Sequence, residues 1–208
     1  MQPNVVPTAV GDTAVVYSSR RIRIRTVAED DLPLLWAAMQ APDFERFWPP
    51  PQPDSYAALC DRFRWLRRLE QTLEIDAIAT LAATGEPFAW LKLSGIDTHH
   101  RKAEFSVYVH HLRGTRAAQE AVVAAIELAF GMVDKLFAHA LADNRPAIRL
   151  LHHLGFREEG RLRGEIAGRD GLRQDVLRFG QLRPDWEAQS ARRLLSPAQL
   201  TIAPGDDR

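Results

Sequence analysis

The sequence predicts an α/β (α+β) fold: a central mixed, largely antiparallel twisted sheet of six to seven strands, flanked by about four helices. Three observations carry this. Lys102 to His110 alternates, with Ala103, Phe105, Val107 and Val109 on one side and Glu104, Ser106, Tyr108 and His110 on the other, which is strand periodicity. From Ala118 the period lengthens: Ala118, Ala121, Val122, Ala125, Leu128, Ala129 and Met132 recur every three or four residues, a helix that lays one apolar stripe on a sheet. A further strand at Lys135 to Ala142 follows, and a helix crossing between two strands makes them parallel, whereas short turns elsewhere make antiparallel pairs.

The chain has 208 residues, a length that suits one domain with a sizeable core, and we divide it into an N-terminal arm (1–19), a domain (20–186) and a C-terminal tail (187–208). Lys plus Arg and Asp plus Glu both number 27, so no global field favours nucleic acid or an anionic membrane, and any anion site must be local. A single cysteine, Cys60, excludes a disulfide framework and a multi-cysteine metal site. No apolar run approaches the ~18 residues of a membrane span, and the start lacks a signal-peptide pattern, so the chain reads as cytoplasmic. His99-His100 lies in a turn with no further ligands at matching spacing, and His110-His111 and His152-His153 place neighbouring imidazoles on opposite faces of a strand or about 100° apart on a helix, so no metal site is expected.

In chain order, Val15 to Tyr17 belongs to a loose arm or a short edge strand, and Arg21 to Arg25 alternates as the first full strand. Glu29, Asp30 and Asp31 supply an acidic first turn to a helix carrying Leu32, Leu35, Trp36 and Met39. Ala41 to Asp54 holds Pro49, Pro50, Pro51 and Pro53 and reads as a stiff aromatic connection without regular helix. Ser55 caps a second helix running to about Gln71, with Tyr56, Leu59, Cys60 and Phe63 facing inward. Leu73 to Leu81, Phe88 to Ile96 and Lys102 to His110 form a meander. After the long helix and the strand at Lys135 to Ala142, a short helix from Asn144 ends at Gly155-Phe156, a C-cap glycine and a core aromatic. Phe156 to Gly164 and Leu172 to Gln181 close the sheet as a hairpin, and Ala188 to Leu195 has a helical pattern.

The loop Leu112-Arg113-Gly114-Thr115-Arg116-Ala117 joins the alternating strand to the long helix. It is short and cationic, and the first backbone N–H groups of that helix, which have no intrahelical acceptor, favour phosphate. This segment, together with Asn144-Arg-Pro-Ala-Ile-Arg-Leu-Leu-His-His-Leu-Gly-Phe156, resembles the acyl-CoA-binding core of the GNAT N-acyltransferases, in the branch that includes RimJ and RimL. The likeness spans roughly Arg20 to Asp185. It implies acetyl-CoA as cosubstrate, with the pantetheine arm on Val107, Tyr108 and Val109. It also implies a pyrophosphate cradle at Arg113, Gly114, Thr115, Arg116, Ala117 and Ala118, with Asn144 beside the cofactor. The family loop has Arg or Gln, two residues, Gly, one residue, then Gly or Ala; Arg113 and Ala118 fit its ends, but Arg116 stands where the middle glycine is usual. Either its guanidinium bonds phosphate, or it fills the donor site.

The resemblance implies N-acetyl transfer to a primary amine, a small molecule or a protein N-terminus, by direct attack in a ternary complex. Glu104 is the candidate base, Tyr108 a candidate donor to the thiolate, and a backbone N–H near Tyr108 or Val109 the candidate oxyanion donor. Leu151 stands where the family often has the tyrosine that protonates the thiolate, so that role is vacant or filled elsewhere. Phe47, Trp48, Trp90 and Asp175 are candidate acceptor contacts; for Phe47, Trp48 and Trp90 core packing is the competing reading. Relatives often pair as homodimers, and no nucleic acid is expected unless the donor is a tRNA. A longer acyl-CoA or aminoacyl-tRNA donor, or a non-catalytic binding module of the same fold, are the alternatives.

Overall fold

Alternating strands joined by short turns and one helical crossover assemble a single eight-stranded sheet. The strands are β1 (Val15–Ser18), β2 (Ile22–Thr26), β3 (Glu74–Leu81), β4 (Pro87–Asp97), β5 (Lys102–Val109), β6 (Lys135–Leu141), β7 (Arg157–Ala167) and β8 (Arg173–Leu182), in the order β1-β2-β3-β4-β5-β6-β8-β7. The helices are α1 (Leu32–Met39), α2 (Pro42–Phe47), α3 (Tyr56–Leu66), α4 (Arg116–Phe130), α5 (Arg145–Leu154) and α6 (Arg183–Leu195). The structure is a computed structural model that describes residues 14–47, 53–68, 74–168 and 171–195. Every neighbouring pair is antiparallel except β5 and β6, which run parallel on either side of the α4 crossover. Among the described residues no helix is long and apolar enough to cross a membrane.

Each face of the sheet buries its own apolar layer. The small side chains Ala118, Ala121 and Ala124 let α4 lie close on Ile22, Ile24, Ala79 and Leu91. Further along, Val122, Ile126 and Phe130 meet Phe105 and Leu136, and α5 adds Leu151 and Leu154. On the other face α1, α2 and α3 bring Leu32, Leu35, Phe44 and Leu59 over Ile78, Trp90 and Tyr108.

Four details differ from the sequence expectations. The sheet gains an eighth strand, because Val15–Ser18 pairs with β2 as its edge. Ala41 to Asp54 does contain a helix: Pro42 opens α2, where its missing N–H is harmless, and the proline run begins only after Phe47. The helix α6 runs across the boundary drawn after Trp186, and Trp186 is buried with its ring centroid 6.1 Å from that of Phe130 at the end of α4. Tyr56, expected to face inward, is 40 % exposed, while Leu59 and Cys60 supply the buried face of α3.

Where β2 enters α1, Arg25 grips Asp31 with two bonds of 2.6 and 2.7 Å, and Asp31 also accepts from the Ala28 N–H at 2.8 Å. Burial alone would raise the Asp31 carboxyl, but these bonds outweigh it and hold it below the ordinary carboxylate range. A depressed folded pKa contributes stability above the unfolded value of about 3.9 and loses it as pH falls through the folded value. Asp31→Asn is therefore expected to lower stability at pH 7 by about 1–3 kcal/mol. The gap in urea midpoint between variant and wild type should narrow as pH falls below about 4; a constant gap would refute the ionic origin.

Candidate active site

Strands β5 and β6 pair only from Lys102–Lys135 to Glu104–Phe137 and then part, opening a wedge whose cavity measures about 1150 Å³. The edge of β5 that faces the wedge follows from its register with β4. The His110 N–H donates to the Phe88 carbonyl at 3.1 Å, and Tyr108 stands opposite Trp90. Antiparallel alternation therefore points the peptide groups of Tyr108 toward β4 and those of Val107 and Val109 into the wedge. The oxyanion-donor role, expected near Tyr108 or Val109, cannot fall on the Tyr108 N–H. The Val109 carbonyl already accepts from Arg113 Nε at 2.5 Å, so Val107 offers a fully open peptide edge.

At the wide end of the wedge the loop turns through two left-handed residues, Leu112 at φ 64° and Gly114 at φ 76°; glycine takes this conformation without strain. Thr115 caps α4: its hydroxyl accepts from the Ala118 N–H at 3.3 Å and donates to the Leu112 carbonyl at 2.7 Å, while its own N–H bonds Leu112. Of the four orphan donors at the helix start, those of Arg116 and Ala117 are left over. Arg113, Gly114 and Ala118 line the cavity; the exposed Arg116 side chain is not among the described lining residues and does not close it.

Asp43 of α2 organises this end, and it was not anticipated. Its carboxylate bonds the Arg113 guanidinium and accepts from the Tyr108 hydroxyl at 2.9 Å, with Arg113 lying 5.6 Å over the Tyr108 ring. Burial pushes the Asp43 carboxyl upward, but Arg113 and Tyr108 together bring it below the usual range. Burial, with the Asp43 carboxylate beside it, raises the Tyr108 phenol, which therefore stays protonated with its proton directed at Asp43.

At the closed end, Glu104 lines the cavity and its Oε1 lies 2.8 Å from Nδ1 of His139 on β6. The alternation Phe137, His139, Leu141 was the sequence signal for this partner, since it places His139 on the face shared by Glu104, Ser106 and Tyr108. Asn144 lines the cavity and caps α5, accepting from the Ala147 N–H at 3.2 Å.

The candidate acceptor contacts divide. Trp90 is buried, stacks on Phe44 at 5.8 Å and donates its indole N–H to Asp76 at 2.8 Å, so it supports the floor beneath α2 and is not among the described lining residues. Asp175 holds the frame in a similar way: its carboxylate takes the Gly164 N–H at 2.7 Å and Arg161 at 2.6 Å and ties the β7–β8 hairpin together outside the described cavity wall. Phe47 ends α2; its side chain, and all of Trp48, lie outside the described residues. The hairpin reaches the cavity instead through Leu162, Glu165, Ile166 and Val176.

Residues 21–157 match the family model of the acetyltransferase (GNAT) domain. No curated protein matches the chain significantly in sequence. Among solved structures, the chain is similar to a spermidine N-acetyltransferase from Vibrio cholerae in complex with CoA and spermine, with TM-score 0.72 and 22 % identity, covering 81 % of this chain and 99 % of that one. It is also similar to Mycobacterium smegmatis RimJ in complex with CoA-disulfide, with TM-score 0.69 and 22 % identity over 85 % of this chain and 88 % of that one.

Proposed function

The chain belongs to the GNAT acetyltransferase family, and we propose that it transfers an acetyl group from acetyl-CoA to a primary amine, a small molecule or a protein N-terminus, by direct attack in a ternary complex. The observation that carries this reading is the wedge itself, an unpaired strand edge leading to a helix start with two uncommitted N–H groups and an arginine at its mouth. These residues fit the cosubstrate: Arg116 and Ala117 N–H with Arg113 would hold the diphosphate, and Val107 would pair with the pantetheine amides. Acetyl-CoA supplies a thioester whose acyl carbon an amine attacks, with the thiol as leaving group. The Val107 or Val109 N–H faces the place where an oxyanion would develop, and the ammonium proton leaves at the closed end, where Glu104 and His139 lie 2.8 Å apart.

The acceptor face is charged but matched. Glu74 bonds Arg62 and Lys92, Asp76 lies 3.4 Å from Lys92, and Asp43 holds Arg113. Glu104 and Glu165 add carboxylates to the cavity wall itself, so both a monoamine and a polyamine are acceptors to be tested. Calorimetry should detect acetyl-CoA binding, and thiol release should follow with at least one amine among benzylamine, spermidine and a lysine-free peptide with a free N-terminus. No binding at millimolar acetyl-CoA would overturn the reading.

A further inference from the structure

We propose that His139 is the group that receives the acceptor's proton, and that Glu104 acts by holding its imidazole. The inference rests on the acetyltransferase reading and assigns its base. Glu104 and Phe137 form the last rung that joins β5 to β6, and His139 is the next residue on the same face after the strands part. Its ring therefore stands at the closed end of the wedge, lines the cavity and bridges back to Glu104 at 2.8 Å. An ionised carboxylate only accepts, so Nδ1 carries the hydrogen and a neutral imidazole keeps its lone pair on Nε2. Phe137, at 5.7 Å and 74° to the ring, packs beside it and restricts its rotation.

The other charges around the imidazole are largely engaged elsewhere. Arg178 of β8, opposite His139 in register, lies 4.3 Å over the Phe137 ring and 3.6 Å from Glu159, which also bonds Lys135 at 2.5 Å. Lys92 of β4 is held by Glu74 at 2.7 Å. Glu165 of β7 lines the cavity from the hairpin, and Arg149 and His153 of α5 line it from the opposite layer. Glu104 is the charged group hydrogen-bonded to the ring.

In the step, Nε2 takes one proton from the ammonium, the freed lone pair forms the N–C bond, and the C–S bond breaks. The second proton leaving the nitrogen goes to the departing sulfur, and the imidazolium returns its proton to solvent.

Two measurements test this. Long-range ¹H–¹⁵N spectra of the free protein should give the Nδ1–H tautomer of His139, and Glu104→Gln, which can donate or accept, should mix the tautomers; a dominant Nε2–H form in the wild type would overturn the positioning. With the amine that gives turnover, His139→Gln should lower kcat about 100-fold or more at pH 7 with acetyl-CoA affinity unchanged. That deficit should shrink as pH rises and the amine arrives already neutral, whereas a merely structural role would keep it constant. Wild-type turnover in His139→Gln, with a large loss in Glu104→Gln, would return the base to the carboxylate. If the wild type binds no acetyl-CoA, the family reading fails and takes the base with it, while the tautomer spectrum still decides whether Glu104 holds the ring.

Discussion

Calorimetry on an Arg113→Ala variant is expected to show acetyl-CoA binding weakened about 10- to 100-fold, while Arg116→Ala stays within about threefold of wild type. The contrast follows from where the two guanidinium groups stand. Arg113 is fixed at the cavity mouth by its bonds to the Val109 carbonyl and Asp43, which occupy two of its five N–H groups and leave the rest for a diphosphate. A hydrogen bond to a charged group contributes about 1.5–3 kcal/mol, which is the stated range of affinity. Asp43 competes for the same charge, so the measured loss should lie toward its lower end. Arg116 projects into solvent outside the described cavity wall, and its contribution is its backbone N–H, which alanine retains. Raising ionic strength should weaken wild-type binding more than that of Arg113→Ala. Equal effects of the two substitutions would place the diphosphate outside the loop as described.

Much of this architecture was legible from periodicity alone. The alternation of Lys102 to His110 and the stripe from Ala118 to Met132 set β5 and α4 almost to the residue, because each pattern repeats over enough turns to outweigh local exceptions. The cap at Asn144 and the stop at Gly155 were readable because their chemistry is local. Asp43 was not, because its partners Arg113 and Tyr108 lie 70 and 65 residues away and no spacing rule connects them. His139 was half visible: strand alternation gives its face, but the pairing with Glu104 depends on where β5 and β6 cease to bond, which is a property of the assembled sheet. For Trp90 and Asp175 the residue types were visible, but their bonds to Asp76 and to Arg161 and the Gly164 N–H are set by the assembled strands.

Phe156→Ala is expected to lower stability by about 3–5 kcal/mol, a large share of the roughly 5–15 kcal/mol typical of a folded domain. The side chain is 2 % exposed and shares a core with Leu136, Leu151, Leu154, Phe179 and Trp186, so α5, α6 and the sheet would all border the resulting void. Its N–H closes the end of α5 on the Leu151 carbonyl at 2.9 Å, directly after Gly155 at φ 90°. Alanine at position 155 strains that left-handed turn and brings its Cβ to 2.5 Å from Gln189 Oε1 and 3.0 Å from Gln181 Nε2. Gly155→Ala should therefore also destabilise, by about 1–2 kcal/mol for the backbone alone. Leu150, Leu151 and Leu154 carry this core outward to the cavity wall, so loss of packing loosens one side of the wedge while leaving Arg113 and the start of α4 in place. Thermal unfolding should accordingly fall by roughly 6–20 °C in Phe156→Ala, with acetyl-CoA affinity close to wild type when measured well below the transition. An unchanged midpoint would mean that Phe156 does not seat α5 on the sheet.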